Sequence, residues 1–235
     1  MENQAETISK RLVWIGNNIA PSCRRVIDIG CGLGEYESAF SGRDFEMVGI
    51  DISKENLLKC PALQKASFCC ASAENLPFAD GSFDAAIIIE VLEHVEDVDK
   101  TLKEMFRVLS RGGTVLLTVP NRGFPFLTHG YRIGKSRHSS FFGIPLPLGT
   151  YLPKPLLRRI WLARHFRCSD LKKLIRETGF EIDDTVFLMP AFDNIGSSSK
   201  IPGMVRIGIR NMLRRFDYRQ SSWFGLSIAV RCRKA

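Results

Sequence analysis

The sequence predicts an α/β fold in which a doubly wound, mostly parallel sheet of seven strands ends in an antiparallel last strand. Three observations predict it. The run Val26-Ile27-Asp28-Ile29 stops at Gly30, Gly32 and Gly34, and a short apolar run bounded by turn residues reads as a buried parallel strand. Strand-length apolar runs then alternate with helically spaced stretches as far as Val119, the pattern of strands joined by crossover helices. Two late strand-like runs, 180–188 and 224–232, lack a standard crossover, which suits an antiparallel addition at the sheet edge.

Ile8, Leu12, Ile15 and Ile19 share one helical face over 4–20, and Pro21 follows. Residues 25–30 form the first strand, and a helix begins near Gly34. Phe45 to Ile50 is the second strand, ending at Asp51. Ser53 caps a short helix through Lys59, because its hydroxyl accepts an orphan N–H. Ala66 to Ala71 is the third strand. Ser82 to Ile89, strongly apolar, is the fourth. Val98, Leu102, Met105, Phe106 and Leu109 lie at helical spacing, and Ser110-Arg111-Gly112-Gly113 reads as the helix stop. Thr114 to Val119 is the fifth strand. A helix from Ser169 to Thr178 closed by Gly179 leads to the strand 180–188, and 203–216 reads as a helix before the last strand.

The 235 residues suffice for one large domain spanning 1–235, with a cap and substrate-recognition insertion at 121–166 after the fifth strand and a second basic amphipathic insertion at 196–218. No apolar run reaches membrane-spanning length, and the N-terminus lacks a basic start with an apolar core, so no secretory signal is expected. Seven cysteines, an odd number without a C-x-x-C pair, suit reduced thiols in a cytoplasmic protein. No metal site is expected. The net charge of +8 is unevenly placed: residues 1–120 are net acidic, whereas 121–169 carry nine Lys/Arg and no acid. In 195–235 Asp217 is the only acid. Basicity therefore marks the segments in which a partner is sought.

Glycines after a strand let the backbone turn and approach a ligand, and the helix that follows offers N–H groups to an anion. The spacing is G-x-G-x-G. A dinucleotide loop of the G-x-G-x-x-G type would need its third glycine where Glu35 stands. Asp51, at the end of the second strand, is placed to accept from ribose hydroxyls. Tyr131 and Lys135 spell Y-x-x-x-K, a catalytic pair in short-chain dehydrogenases when helical, but Gly130 and Gly134 disfavour a helix there.

Together, V-I-D-I-G-C-G-L-G-E-Y (26–36), Asp51-Ile52, A-S-A-E-N-L-P-F (71–78), S-F-D-A-A-I-I-I-E-V-L-E-H-V-E-D (82–97) and L-K-E-M-F-R-V-L-S-R-G-G (102–113) resemble the class I S-adenosylmethionine-dependent methyltransferases of the small-molecule type. The resemblance covers about residues 10–120 and implies a Rossmann-like fold with S-adenosyl-L-methionine as cofactor. It places Asp28, Gly30, Cys31, Gly32 and Gly34 at the methionine end, Asp51 at the ribose and Ile52 against adenine. Ser72, Ala73 and Glu74 fall in the segment at the adenine edge. Ser72 stands where the family commonly has Asp, and a hydroxyl accepts the adenine amino group more weakly than a carboxylate, so Glu74 is a candidate to share that role. Glu90, at the end of the fourth strand, is a candidate for cofactor contact or catalysis. His94, four residues on, is a candidate base with helix packing as its alternative. Asn121 and Tyr131 are the residues expected to face the substrate.

For the acceptor, Phe124, Phe126, Phe141, Phe142 and Trp161 beside basic residues suggest an apolar or amphipathic small molecule such as a lipid, quinone precursor or isoprenoid. Leu157, Ile160, Trp161 and Arg164 lie at helical spacing, as do Arg206, Arg210 and Arg214 beside the stripe Val205, Ile209, Met212, Leu213 and Phe216. Basic amphipathic helices of this kind bind anionic membrane surfaces peripherally, or serve as lid helices with solvated charges. An RNA acceptor is a second reading, disfavoured because I-I-E-V stands where an N-P-P-Y-type tetrad would and no separate RNA-binding module is evident. A non-catalytic cofactor-binding subunit is a third.

Overall fold

The computed structural model describes residues 11–124, 131–133, 136–138, 164–188 and 225–235. A helix, α1, covers 11–18 and buries Trp14 and Ile15. In chain order there follow β1 (Arg25–Ile29), α2 (Glu35–Phe40), β2 (Glu46–Asp51), α3 (Lys54–Leu57), β3 (Ala66–Cys70), β4 (Phe83–Ile89), α4 (Val98–Val108) and β5 (Leu109–Pro120). A hairpin of β6 (Tyr131–Ile133) and β7 (Ser136–His138), then α5 (Cys168–Glu177), β8 (Phe180–Leu188) and β9 (Ser227–Lys234) complete the order.

Seven strands make one sheet in the order β3-β2-β1-β4-β5-β9-β8. Strands β1 to β5 pair in parallel, and the sheet ends antiparallel, as the sequence predicts. Val26, Ile27 and Ile29 of β1, Ala85 to Ile88 of β4 and Val115 to Leu117 of β5 are fully buried. That is why these strands read as continuous apolar runs rather than alternating ones. The chain order reverses between β1 and β4, and open α/β sheets bind ligands beyond the C-terminal strand ends at such a point.

By compactness the chain falls into two units. One comprises Leu12–Val119, Cys168–Thr185 and Ala229–Ala235 and holds the glycine loop. The other comprises Met1–Arg11, Pro120–Arg167 and Val186–Ile228, of which Arg11, 120–124, the hairpin, 164–167, 186–188 and 225–228 are described. Most of the 121–166 insertion, and all of 196–218 with its arginine stripe, lie outside the described residues.

One expectation needs correction. The glycines after α4 do not cap it: Leu109 is already extended (φ −78°, ψ 140°) and pairs with Phe83. Burial of Leu109 carries the chain straight from helix into strand, and Gly112 (φ +78°) serves a register shift before Thr114 pairs with Ala85. After Pro120, Tyr131 pairs with His138 and Ile133 with Ser136. Tyr131 stands on a strand, whereas Lys135 lies outside the described residues.

Candidate cofactor site

The site grows from three glycines in left-handed backbone. Gly30 (φ +81°) has no room for a side chain, since a Cβ would lie 2.3 Å from Val91 Cγ2. Gly34 (φ +75°) caps α2, and its Cβ would meet the Phe68 ring at 3.0 Å. Gly32 differs. Its φ of +56° also favours glycine, but nothing lies within 4 Å of the place a Cβ would take. The loop therefore packs against protein on both flanks and leaves its centre open.

Asp51 bridges that loop to the end of β2. Its Oδ2 accepts from the Gly32 N–H at 3.0 Å, and its Oδ1 accepts from the Ser53 N–H at 2.7 Å. Each carboxylate oxygen keeps a further lone pair. The next side chain, Ile52, is 78% exposed. An isoleucine left in water beside a ribose-type acid is a surface that a flat base would cover.

Beneath the loop lies a pair of buried acids. Asp28 on β1 sits opposite Gly49 on β2, and Glu37 of α2 reaches the same place: a Cβ at Gly49 would come within 2.5 Å of Glu37 Oε1 and 2.9 Å of Cys31 Sγ. Asp28 and Glu37 are each 1% exposed. Among the described residues no N–H or hydroxyl group donates to Asp28 Oδ2 or to either Glu37 oxygen, and the two carboxyls hydrogen-bond to each other, which requires one of them to keep its proton. Burial, then the charge of Glu37, raises the Asp28 carboxyl well above the usual range. Burial pushes Glu37 up to about 7. Two acids this close in a dry site cannot both ionise at neutral pH. Burial also raises the Cys31 and Cys60 thiols, so neither is a poised nucleophile; all seven cysteines are free. Sequence reasoning missed Glu37. Its trace was a charged residue on the inward face of a short helix beside Tyr36 and Phe40.

Of the adenine-edge candidates, Ser72 and Ala73 are half-buried, and Ser72 Oγ accepts from the Glu74 N–H at 3.2 Å. Glu74 turns elsewhere: its Oε1 accepts from the N–H groups of Glu96 and Asp97 at 2.7 and 3.2 Å, ahead of α4. Glu90 sits directly after β4 with φ +55°, the one described non-glycine residue at positive φ. Such strain persists where the surroundings over-determine the backbone and clusters at functional sites. Thr118 donates its hydroxyl to Glu90 Oε1 at 3.0 Å, and the Glu90 N–H bonds to the Thr118 carbonyl. His94 lies within the field of Glu90; partial burial lowers its pKa and the Glu90 charge raises it, with burial prevailing. Its imidazole is therefore neutral at neutral pH. Among the described residues no group of three or more His, Cys, Asp or Glu side chains is arranged to hold a metal, and no helix is long and apolar enough to cross a membrane.

In the other unit, Asn121 is buried. Its side-chain amide donates to the Gly225 carbonyl at 2.8 Å and its Oδ1 accepts from the Gly123 N–H at 2.8 Å. The amide thus ties together the strand's exit and the approach to β9. Tyr131 stands on β6 of the hairpin.

Fold, strand order and site together define a class I α/β nucleoside-cofactor protein. The family model described as "Methyltransferase domain" matches residues 27–117. An uncharacterized methyltransferase of Mycobacterium sp. (strain KMS) is 38% identical over 99 residues, 42% of this chain and 39% of that protein. The chain thus spans well under two thirds of that relative's length. The ubiquinone biosynthesis O-methyltransferase of Aromatoleum aromaticum is 33% identical over 168 residues, 69% of this chain and 70% of its own. The crystal structure of an S-adenosylmethionine-dependent methyltransferase from Mesorhizobium loti superposes with a TM-score of 0.62 at 18% identity, covering 97% of this chain and 98% of the other. The chain belongs to the class I S-adenosylmethionine-dependent methyltransferases, whose cofactor is S-adenosylmethionine. The residues present fit that group. Gly32 offers an open cradle, Asp51 an anchored carboxylate, and Ile52 an uncovered apolar face.

Proposed function

We propose that the protein transfers the methyl group of S-adenosylmethionine to an apolar or amphipathic small molecule. The observation that carries the methyl transfer is the loop itself: glycines blocked by protein on either side of one that opens onto free space. When bound, the cofactor supplies a methyl on a sulfonium, so attack by an acceptor lone pair breaks the C–S bond and leaves a neutral thioether. The chain has two tasks: to align the acceptor and to accept its proton if the acceptor is an O–H or N–H. Glu90 and His94 are the residues for the second. The neutral imidazole takes the proton, and the Glu90 carboxylate, held by Thr118, stabilises the imidazolium formed.

The acceptor class rests on the aromatic and basic residues of 121–169, and the name of the Aromatoleum relative is in keeping with a quinone-type acceptor. Tyr131 is the residue we assign to that side, and Asn121, buried with its amide bonded to Gly225 and Gly123, would hold the adjoining backbone. Contact with an anionic membrane surface would bring such acceptors within reach. Incubation with labelled S-adenosylmethionine and cell extract, followed by partition of the label, tests the reading: label in the lipid or small-molecule fraction is expected, and label in RNA alone would overturn it. Liposome flotation with anionic lipid tests the surface contact, which loss of binding on charge reversal of Arg206, Arg210 and Arg214 would support. His94→Asn should lower kcat about 100-fold or more while cofactor affinity holds. Because the His94 pKa is lowered, the acid limb of the wild-type profile should fall below the ordinary histidine value.

A further inference from the structure

Helix α4 does more here than cover the sheet. The segment 71–80 leaves the end of β3 beside the ribose acid, where the Ala71 N–H donates to the Asp51 carbonyl at 3.2 Å. From there the segment is gripped repeatedly. Glu74 reaches the residues ahead of α4. Glu104 Oε2 accepts from the Leu76 N–H at 2.8 Å. Arg107 donates through Nη2 to the Leu76 carbonyl at 2.9 Å, and through Nη1 to the Phe78 carbonyl at 2.6 Å and Asp80 Oδ1 at 2.9 Å. Glu104 in turn holds the guanidinium at Nε and Nη2, each at 2.8 Å. The pair stands on a rigid support, since Leu102, Met105 and Val108 of the same helix are fully buried.

This grip has a consequence for recognition. Ser72 Oγ already accepts one N–H, and Glu74 is turned toward α4. A base lying on Ile52 therefore meets a segment whose polar edge is mostly backbone. Backbone donors and acceptors discriminate one base from another only when their spacing is fixed, because a group that can shift re-pairs with the wrong partner.

We infer that Arg107 and Glu104 are positioning residues for base selection: by taking up the Leu76 and Phe78 backbone groups they pin 76–80 and so hold the adjoining 72–74 stretch, whose backbone groups distinguish adenine from a 6-oxo purine. The inference rests on the cofactor reading given above. The test is equilibrium binding of S-adenosylhomocysteine and S-inosylhomocysteine to the full chain and to Arg107→Met, Arg107→Lys and Glu104→Gln, with amide exchange of 72–80 in the ligand-free proteins. Arg107→Met should weaken the adenine ligand about tenfold or more, the scale of a lost charged hydrogen bond. It should weaken the inosine ligand far less, so that the selectivity ratio falls toward one. Exchange at 76–80 should quicken while β1 and β4 stay protected. Arg107→Lys keeps the charge but cannot span two carbonyls, and should lose selectivity with a smaller fall in Tm, which keeps the test valid if the methionine variant fails to fold. Equal weakening of both ligands, or an unchanged ratio despite faster exchange, would make Arg107 structural only and overturn the inference. A wild-type chain that binds neither ligand would overturn the cofactor reading beneath it.

Discussion

The glycine loop and the 71–80 segment flank the same acid, Asp51, yet they are held by opposite means. The loop depends on backbone conformations that only glycine adopts readily and rests on two acids shut away from water. The segment is held by ionised groups: the Arg107 side chain is 30% exposed, and Arg107 meets Glu104 and Asp80 at 2.8 and 2.9 Å. Steric and protonic constraints do not yield to salt; charge pairs with water access do. The loop should therefore be sensitive to volume and pH, and the segment to charge.

The largest break in the loop should come from Gly30→Ala. Positive φ costs an alanine about 1–2 kcal/mol, and the Val91 clash adds overpacking of similar size, so a loss of about 3 kcal/mol in stability is expected together with loss of cofactor binding. Gly32→Ala carries the backbone cost alone, because its Cβ meets nothing within 4 Å. It should keep most of its stability while losing cofactor affinity at least as severely. Thermal melts and cofactor titration of the two variants check this, and a Gly32→Ala protein that binds normally would show the open side is not the ligand side.

A smaller effect should follow from the acid pair. Glu37 retains its proton in the folded chain up to about 7, whereas an unfolded glutamate releases it near 4.3. The native state thus holds more protons, and stability falls as pH rises between these values. The Glu37 share of that loss is on the order of 3 kcal/mol. Burial is the cause that raises Glu37, and the Asp28 carboxyl beside it is raised as well. Glu37→Gln should flatten the decline and melt higher than the wild type at pH 8. Denaturation curves at pH 5 and pH 8 decide it; parallel decline of the two proteins would remove the acid pair from the account.

How much of this was legible in the sequence follows from the same contrast. Strands β1, β2, β4 and β5 could be read because buried strands are largely apolar, and the loop because three glycines have few other uses after a strand. Ser53 was legible as a cap, and its hydroxyl does accept from the Asn56 N–H at 3.3 Å. The acid pair was not. Asp28 stood inside the strand pattern, but nothing in the spacing of Glu37 says that Gly49 on another strand vacates the place its carboxyl takes. Nor could periodicity show that Glu74 turns toward α4, because that depends on where a later helix, from Val98, begins. Leu109 overrode the glycine stop for a reason only the register reveals.

The smallest expected effect sharpens the comparison most. Ile52 and Leu58 are exposed to nearly the same extent, 78% and 77%, one beside the ribose acid and one just after α3. Replacing either by alanine removes little buried area, so neither variant's stability should change by more than about 0.5 kcal/mol. Only Ile52 should matter to ligand. A base laid on it would bury roughly one to two methylene groups' worth of area, so Ile52→Ala should weaken S-adenosylhomocysteine about fivefold, and Leu58→Ala should leave it unchanged. Titration of both variants reads the difference directly. Equal affinities would mean that the base does not lie on Ile52, and the anchor of the adenine end would then have to be sought in the 71–80 segment alone.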